Sequence, residues 1–548
     1  MRAAVAVAAA ALAALLPGAA VGGAPATEVG VADAMDKLRP GDPIPAGRAL
    51  DLDAPGNGCA AGQIAVRAEA GLAALTARAE PLRGPRPLPV ALYRVATLTL
   101  DRPSGPDGAP GEWPDPLVPA RDAFFGEERR AFPVAVGRGR LQAIWVEVCV
   151  PGGTPAGTYA GAVELADGAR PIAAVPLALR VYPFDLPRSP TFAAAFGLST
   201  RIGTRALGAP DDPTVARSLA AAALRHRVTP FVLSADPPGG TCTAAACGLD
   251  WRAYDAEVAP ILDGTLVPGV KGAFAEVRVP GRVWSGPERD ALATLRAWRA
   301  HFEARGWSDR LWLYTLDEPR PDQLAELARR AGIARSAGVR VIATTVPAAP
   351  LAGLVDAFAP NVTLLPEAPD GARAGRVGFF YASCLSHGCG ELPARGARRT
   401  EMVRAFSGWP GYEIDRPGAA ARAMGWLAFR RGLDGEIYYD MLQTWPGDPW
   451  RDVRAFAGNG DGTLLYPGRP AELGGRSPFP VESIRLKLVR AGLEDLELLR
   501  LASARGEGAL AARLVARLAP SPRAFERRAA PWRDARRSLC EALSAPRR

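Results

Sequence analysis

Along the chain, apolar positions first recur every second residue and later every third or fourth. Between residues 27 and 188 the two-residue period dominates. In "LQAIWVEVCV", Ile144, Val146, Val148 and Val150 fall on one face of a strand, with Trp145 and Glu147 on the other. The Pro/Gly stretch after Val150 reads as a turn, and residues 158–165 as the next strand. "LPVALYRVATLTL" and "IAAVPLALRVY" are further strands. No amphipathic helix interrupts them, so the pattern predicts an N-terminal antiparallel β-sandwich over 27–188. "YPFDLPRSP", with Pro183, Pro187 and Pro190, reads as a stiff linker.

From Phe192 the texture changes. Short apolar runs now alternate with helical stretches: "FAAAFGLS", "PFVLSA", "GAFAEVRV", "LWLYTLDE", "VRVIATT", "RVGFFYAS", "GEIYYDML" and "GTLLYPG". Within 287–305, Leu292, Leu295, Trp298 and Phe302 make one apolar helical face before Gly306 stops it. A second helix follows Pro321, with Leu324, Leu327 and Ala331 on one face. About eight strands alternating with helices over 189–500 predict an α/β fold, a (β/α)₈ TIM-like barrel. A doubly wound sheet is the alternative. Residues 501–548 read as a helical, Arg-rich extension packed on the barrel.

Composition narrows the partners. At 548 residues the chain exceeds one core. The net charge of +9, from 66 Lys+Arg against 57 Asp+Glu, is spread along the chain with no run of five basic residues. That argues against nucleic acid, which calls for a clustered basic stripe. "MRAAVAVAAAALAALLPGAAVGGAPA" joins Arg2, an apolar stretch over 3–16, Pro17 and small residues; residues 1–26 read as a secretory signal peptide. No later segment is apolar enough to span a membrane. The expected location is therefore secreted, periplasmic or extracellular.

Export favours disulfides. Cys242 and Cys247 in "CTAAAC", and Cys384 and Cys389 in "CLSHGC", are expected to close two local loops. Cys59 and Cys149 are candidates for a third pair, which leaves Cys540 over. His387 lies inside "CLSHGC", but with only His226 and His301 besides, no metal site is expected. No P-loop or dinucleotide fingerprint occurs, so no cofactor is expected either.

The chemistry is expected in "LWLYTLDEPR". An apolar run ends in two adjacent carboxylates, Asp317 and Glu318, at the turn before a helix, where a barrel places its site. Adjacent strand residues face opposite ways, so one pocket can use both only if the strand end twists or bulges. Pro319 is expected to hold Glu318 extended. The plainer reading is that Asp317 caps the next helix while Glu318 makes a surface ion pair.

"YTLDEP", together with "GWLAFRRGLDGEIYYDMLQTWPGDPW", "GNGDGTLLYPG" and "ESIRLKLVRAGLEDLELL", resembles glycoside hydrolase family 123 and its uncharacterised relatives. The likeness runs over residues 140–500 or so and includes the sandwich strand "IWVEVCVPGGTPAGTYAG". It implies retaining, substrate-assisted hydrolysis of β-linked N-acetylgalactosamine. Glu318 would be the general acid/base, and Asp317 would orient the 2-acetamido group. Because the acetamido oxygen is then the nucleophile, the usual separation of two carboxylates across the sugar is not required. A glycan or glycoconjugate is the expected partner. The loops that define the sugar in that family have no counterpart here, which leaves the sugar open.

Candidate sugar-binding residues are Tyr314, Trp409, Tyr412, Tyr438, Tyr439, Asp440, Trp445, Asp461 and Tyr466. Packing between barrel and helices is the alternative for the aromatics. Arg485, Arg490, Glu494 and Asp495 are expected to form structural ion pairs. A noncatalytic carbohydrate-binding or cell-envelope protein that retains the barrel is the competing function. A hydrolase of another class is disfavoured: no G-x-S-x-G elbow occurs, and no histidine is an evident partner for a nucleophile.

Overall fold

The computed structural model describes residues 27–231, 237–365, 378–384, 389–390, 393 and 395–545. Residues 1–26, expected to be a signal peptide, and His387 lie outside the described residues.

The period-two region forms two large sheets. The larger has seven strands in the order Thr27–Asp33, Cys59–Ala68, Leu141–Cys149, Ala91–Leu100, Gly111–Pro119, Phe479–Ser483 and Leu465–Gly468. The smaller runs Leu50–Gly56, Arg170–Asp185, Gly157–Asp167, Leu72–Ala79 and Val134–Val136. All pairings are antiparallel except Leu50–Gly56 with Arg170–Asp185. Ile144, Val146 and Val148 pack inward against Val163, Leu165, Leu177 and Leu179. The opposite face of the larger sheet is buried too, with Trp145 in the other main core.

Two strands of that larger sheet come from far along the chain. "GTLLYPG" contains Leu465–Gly468, which pairs with Phe479–Ser483, and this hairpin joins Gly111–Pro119. It is therefore an antiparallel sandwich strand rather than the expected parallel one. An apolar run states that a strand is buried, not which sheet receives it.

Seven other expected runs do form parallel strands, and Ala357–Phe358 supplies an eighth. They make two four-stranded parallel sheets. One is ordered Thr229–Phe231, Ala193–Gly197, Gly435–Tyr438, Phe379–Tyr381. The other is ordered Ala275–Glu276, Leu311–Tyr314, Arg340–Ala343, Ala357–Phe358. A continuous eight-stranded ladder is not formed among the described residues. The sheets touch at two seams, a parallel bridge between Asn361 and Tyr381 and a 2.9 Å bond from Ala273 N to Thr229 Oγ1. They also share one apolar cluster of Ala195, Phe231, Phe274, Trp312, Ile342, Ala359, Phe379 and Ile437, drawn from both. At Gly197 a Cβ would lie 2.0 Å from Tyr439 O, so only glycine lets these neighbouring strands approach.

The helices fall as their apolar faces predict. Glu288–Ala304 buries Leu295, Trp298 and Phe302, and Leu324–Ser336 buries Leu327 and Ala331. The long helix Ile484–Ala504 is almost wholly buried, with Gly508–Leu518 and Ala529–Ser544 following. It packs on Ala419–Arg431 and the larger sheet. Glycines allow the first contact, since a Cβ on Gly425 would meet Gly492 O at 2.2 Å.

Both expected cysteine pairs, Cys242–Cys247 and Cys384–Cys389, are bridged, and so is the candidate pair Cys59–Cys149. Cys540 is buried and free. Among the described residues no helix is long and apolar enough to cross a membrane.

Candidate active site

The shared cluster fixes which strand residues face inward. Phe274, Trp312, Ile342, Ala359, Phe379 and Ile437 belong to it, whereas Ala275, Leu313, Val341, Phe358, Phe380 and Tyr438 belong to the outer core. Two residues further along each chain, the alternation places Glu276, Tyr314, Thr344, Asn361, Tyr381 and Tyr439 on the inner rim. Tyr314 and Tyr381 do pack against the inner cluster. Asp317 and Glu318 stand exposed just beyond this rim.

Hydrogen bonds bind the two carboxylates to it. Tyr314 OH donates to Asp317 Oδ1, and Thr344 Oγ1 lies 3.4 Å from the same oxygen. Thr344 Oγ1 also accepts from Glu318 N at 2.8 Å. From the other parallel sheet, Tyr381 OH donates to Glu318 Oε1 at 2.6 Å. No described residue donates to Asp317 Oδ2 or Glu318 Oε2. Each carboxyl is thus held by one oxygen and open at the other.

The backbone explains how neighbours in sequence reach one place. The strand ends at Tyr314, and Glu318 has φ +41°, a left-handed conformation. Pro319 therefore does not hold Glu318 extended; the reversal at Glu318 turns its carboxyl towards Tyr381. A non-glycine residue in this region costs about 1–3 kcal/mol and persists only where its surroundings hold it. The bonds from Thr344 and Tyr381 supply that hold.

Burial raises the titration of both tyrosine hydroxyls above the ordinary range. The adjoining Asp317 adds to this at Tyr314, and the bond to Glu318 adds to it at Tyr381. Both therefore remain donors at neutral pH. Glu276, also on the rim, is pushed up to about 7 by burial, with Arg278 opposing. A carboxyl there exchanges its proton near neutrality.

The other expected sugar-binding residues divide. Tyr439 reaches the rim, next to the exposed Phe456 at a ring distance of 6.1 Å. Asp440 is half-buried, accepts from Met441 N and Leu442 N, and is raised to about 6 by burial. The remainder are buried and bonded to partners elsewhere in the protein. Trp445 donates to Leu465 O, Trp409 to Ala405 O, and Tyr412 OH to Glu436. Tyr466 OH donates to Asp115 in the sandwich, and Tyr438 OH to Asp461. Tyr438 faces the outer core by its register, and Tyr466 follows the hairpin into the larger sheet.

Glu276, Thr344, Asn361 and Tyr381 were not evident in the sequence. The available signal was a lone polar residue at the end of an apolar run, as in "VIATT" and "FFYAS". A cavity of about 640 Å³ lies elsewhere, against the C-terminal helices. Its Arg533 and Arg537 face Asp33 and Asp53 at 3.6 and 3.0 Å, so its charges are matched. Cys384, Cys389 and Glu413 bring ligand-type atoms within 4.8 Å of one another. With the two sulfurs bridged, neither is a thiolate able to hold a metal.

Residues 394–502 match the sequence profile "Glycoside hydrolase 123, catalytic domain". The chain also superimposes on a family 123 glycoside hydrolase from Clostridium perfringens studied for glycolipid glycan hydrolysis. That match has TM-score 0.65 at 10% identity and covers 95% of this chain and 97% of that one. The chain is related to glycoside hydrolase family 123. The profile match excludes Asp317 and Glu318, so over the carboxylate pair the likeness is one of fold alone. A Bacteroides ovatus family 5 xyloglucanase matches at TM-score 0.28 and 10% identity, over 81% of this chain and 98% of that one, too low to carry an argument. No curated protein is significantly similar in sequence.

Proposed function

We propose that the protein is an exported glycoside hydrolase that cleaves β-linked N-acetylhexosaminides, of the N-acetylgalactosaminidase type, with retention. The substrate's own 2-acetamido oxygen attacks the anomeric carbon and the glycosidic bond breaks. Glu318 gives its proton to the departing oxygen and then takes one from the water that opens the oxazolinium ion. Asp317 accepts from the acetamido N–H and stabilises the charge that develops there.

One observation carries this reading. Two adjacent carboxyls are each fixed by one oxygen to the inner rim and open at the other. A helix cap or a surface ion pair needs no such arrangement. Asp317 and Glu318 sit at the C-terminal ends of parallel strands, where a barrel enzyme keeps its chemistry. We read the two parallel sheets as halves of one (β/α)₈ barrel, which the common inner core and the two seams support. The sandwich over 27–188, with the 465–483 hairpin added, then braces the barrel of 189–500, and 501–548 packs outside.

Exposed Phe456, Leu364 and Val346 follow the eighth, sixth and fifth parallel strands in chain order. They would suit an apolar aglycone, such as that of the glycolipid glycans the C. perfringens enzyme was studied with. Signal-type residues 1–26 and three disulfides support export.

Aryl β-glycosides with and without the 2-acetamido group, incubated with the purified protein, test the reading. Turnover confined to the acetamido sugars is expected. Equal turnover of sugars lacking the group would end the substrate-assisted mechanism, and sugar binding without turnover would favour a noncatalytic protein.

A further inference from the structure

We propose that Asn361 is a substrate-binding residue whose side-chain amide donates to a neutral sugar oxygen beside Glu318. The inference rests on the glycosidase reading and adds a residue to it.

Asn361 lies on the inner rim just past Ala357–Phe358 and is 5% exposed. Its Oδ1 accepts from Thr363 N at 3.0 Å and Thr363 Oγ1 at 2.9 Å. A backbone N–H can only donate, so this bond fixes which end of the amide is oxygen. The Nδ2 group therefore points the other way. Its backbone is bridged to Tyr381, and one amide N–H lies towards the Tyr381 hydroxyl closely enough to act on its titration as a long hydrogen bond. It nevertheless meets no acceptor at full hydrogen-bond geometry among the described residues.

A buried amide with an unused donor is uncommon and calls for an explanation. Apart from Tyr439, whose hydroxyl also lacks a partner at full geometry among the described residues but stands by Phe456, the other rim donors are already committed. Tyr381 OH is given to Glu318 and Tyr314 OH to Asp317, while Thr344 Oγ1 is held between Glu318 N and Asp317. Asn361 alone of these brings an unspent donor to the side of the rim where Glu318 stands. The chemistry of its acceptor follows from the surroundings. An anionic ligand group would be repelled by Asp317 and Glu318, whereas a hydroxyl or acetamido carbonyl oxygen would not. A pyranose held at the carboxylate pair offers such oxygens.

Asn361→Ser tests this, because serine keeps a short oxygen to accept from Thr363 N but carries no amide. Asn361→Asp likewise keeps the acceptor, and carries the test should the serine variant unfold on heating well below wild type. Both kcat/KM and the Kd of the free sugar are measured for the parent N-acetylhexosaminide and its monodeoxy analogues. The expected loss is about 10- to 100-fold on the parent, vanishing with the one analogue that lacks the accepting oxygen. An equal loss on every analogue, or no loss at all, would overturn the inference. If wild type binds the sugars without hydrolysing them and the analogue-specific loss persists, the enzymatic reading falls and this one stands. If wild type neither binds nor hydrolyses any of them, both fall.

Discussion

The inner rim and the helix Ile484–Ala504 both gather charged groups, but to opposite ends. Along the helix the charges from Arg485 to Glu497 are buried and matched. Arg485 bonds both oxygens of Asp115 at 2.8 and 3.0 Å and three backbone carbonyls. Lys487 lies 2.8 Å from Glu147 and 2.6 Å from Glu482, and Arg490 also pairs with Glu147. Asp495 holds Arg422 at 2.7 Å and Arg536 at 3.1 Å, and Glu494 holds Arg536 at 2.7 Å. At the rim, Asp317 and Glu318 are exposed, lack cationic partners among the described residues, and are half satisfied by neutral hydroxyls. Paired charges fasten the sandwich to the parallel sheets; unpaired ones, held by one oxygen each, remain available to react.

That contrast predicts effects of different kinds. Of the effects that the leaving group does not alter, the largest belongs to Asp317→Asn, which should lower turnover of acetamido glycosides about 10²- to 10³-fold. Its thermal midpoint should stay near wild type, because the side chain is exposed. A large loss of stability instead would place Asp317 with the structural charges. Arg485→Met should do the reverse, leaving Asp115 buried and unpaired at a cost of about 3–5 kcal/mol. Denaturant titration checks this, and adding Asp115→Leu should restore much of the loss. If Arg485→Met proved silent, the helix would not be the fastening element.

Covalent links should rank by the loop they close. Removing Cys59–Cys149, 90 residues apart, should cost about 4.5 kcal/mol, against about 2 for Cys242–Cys247, 5 apart. Equal losses in chemical denaturation would show that the sandwich link does not close the larger loop in the unfolded chain. A pH effect of similar size is expected at Glu436, which burial raises from 4.5 to about 8 although Tyr412 donates to it. Its neutral form is favoured in the fold, so its contribution is full below pH 4.5 and is lost as pH rises towards 8. Glu436→Gln should remove that decline, worth on the order of 2–4 kcal/mol, in unfolding curves recorded at pH 5 and pH 8. An unchanged slope would mean Glu436 is ionised in place.

Much of this arrangement was legible before any coordinates. Leu311–Tyr314 leading into Asp317-Glu318 stood out because carboxylates beside an apolar run are costly to desolvate, and Arg485, Arg490, Glu494 and Asp495 do form ion pairs. The strand Ala357–Phe358 was not legible, since two residues carry no period. Nor was the company the carboxylates keep. Thr344, Asn361 and Tyr381 are single polar residues on other strands, and only register brings them to one rim. Trp445 and Tyr466 show the converse. An aromatic in a motif looks the same in sequence whether it meets a ligand or fills a wall.

The central claim is that Glu318, held by Oε1 and open at Oε2, is the proton donor. The most direct measurement is hydrolysis of 2-acetamido aryl glycosides by wild type and Glu318→Gln, across leaving groups from poor to good. The account predicts a loss of about 10²- to 10⁴-fold with poor leaving groups that shrinks steeply as the leaving group improves. A uniform loss across the series, or none, would contradict it.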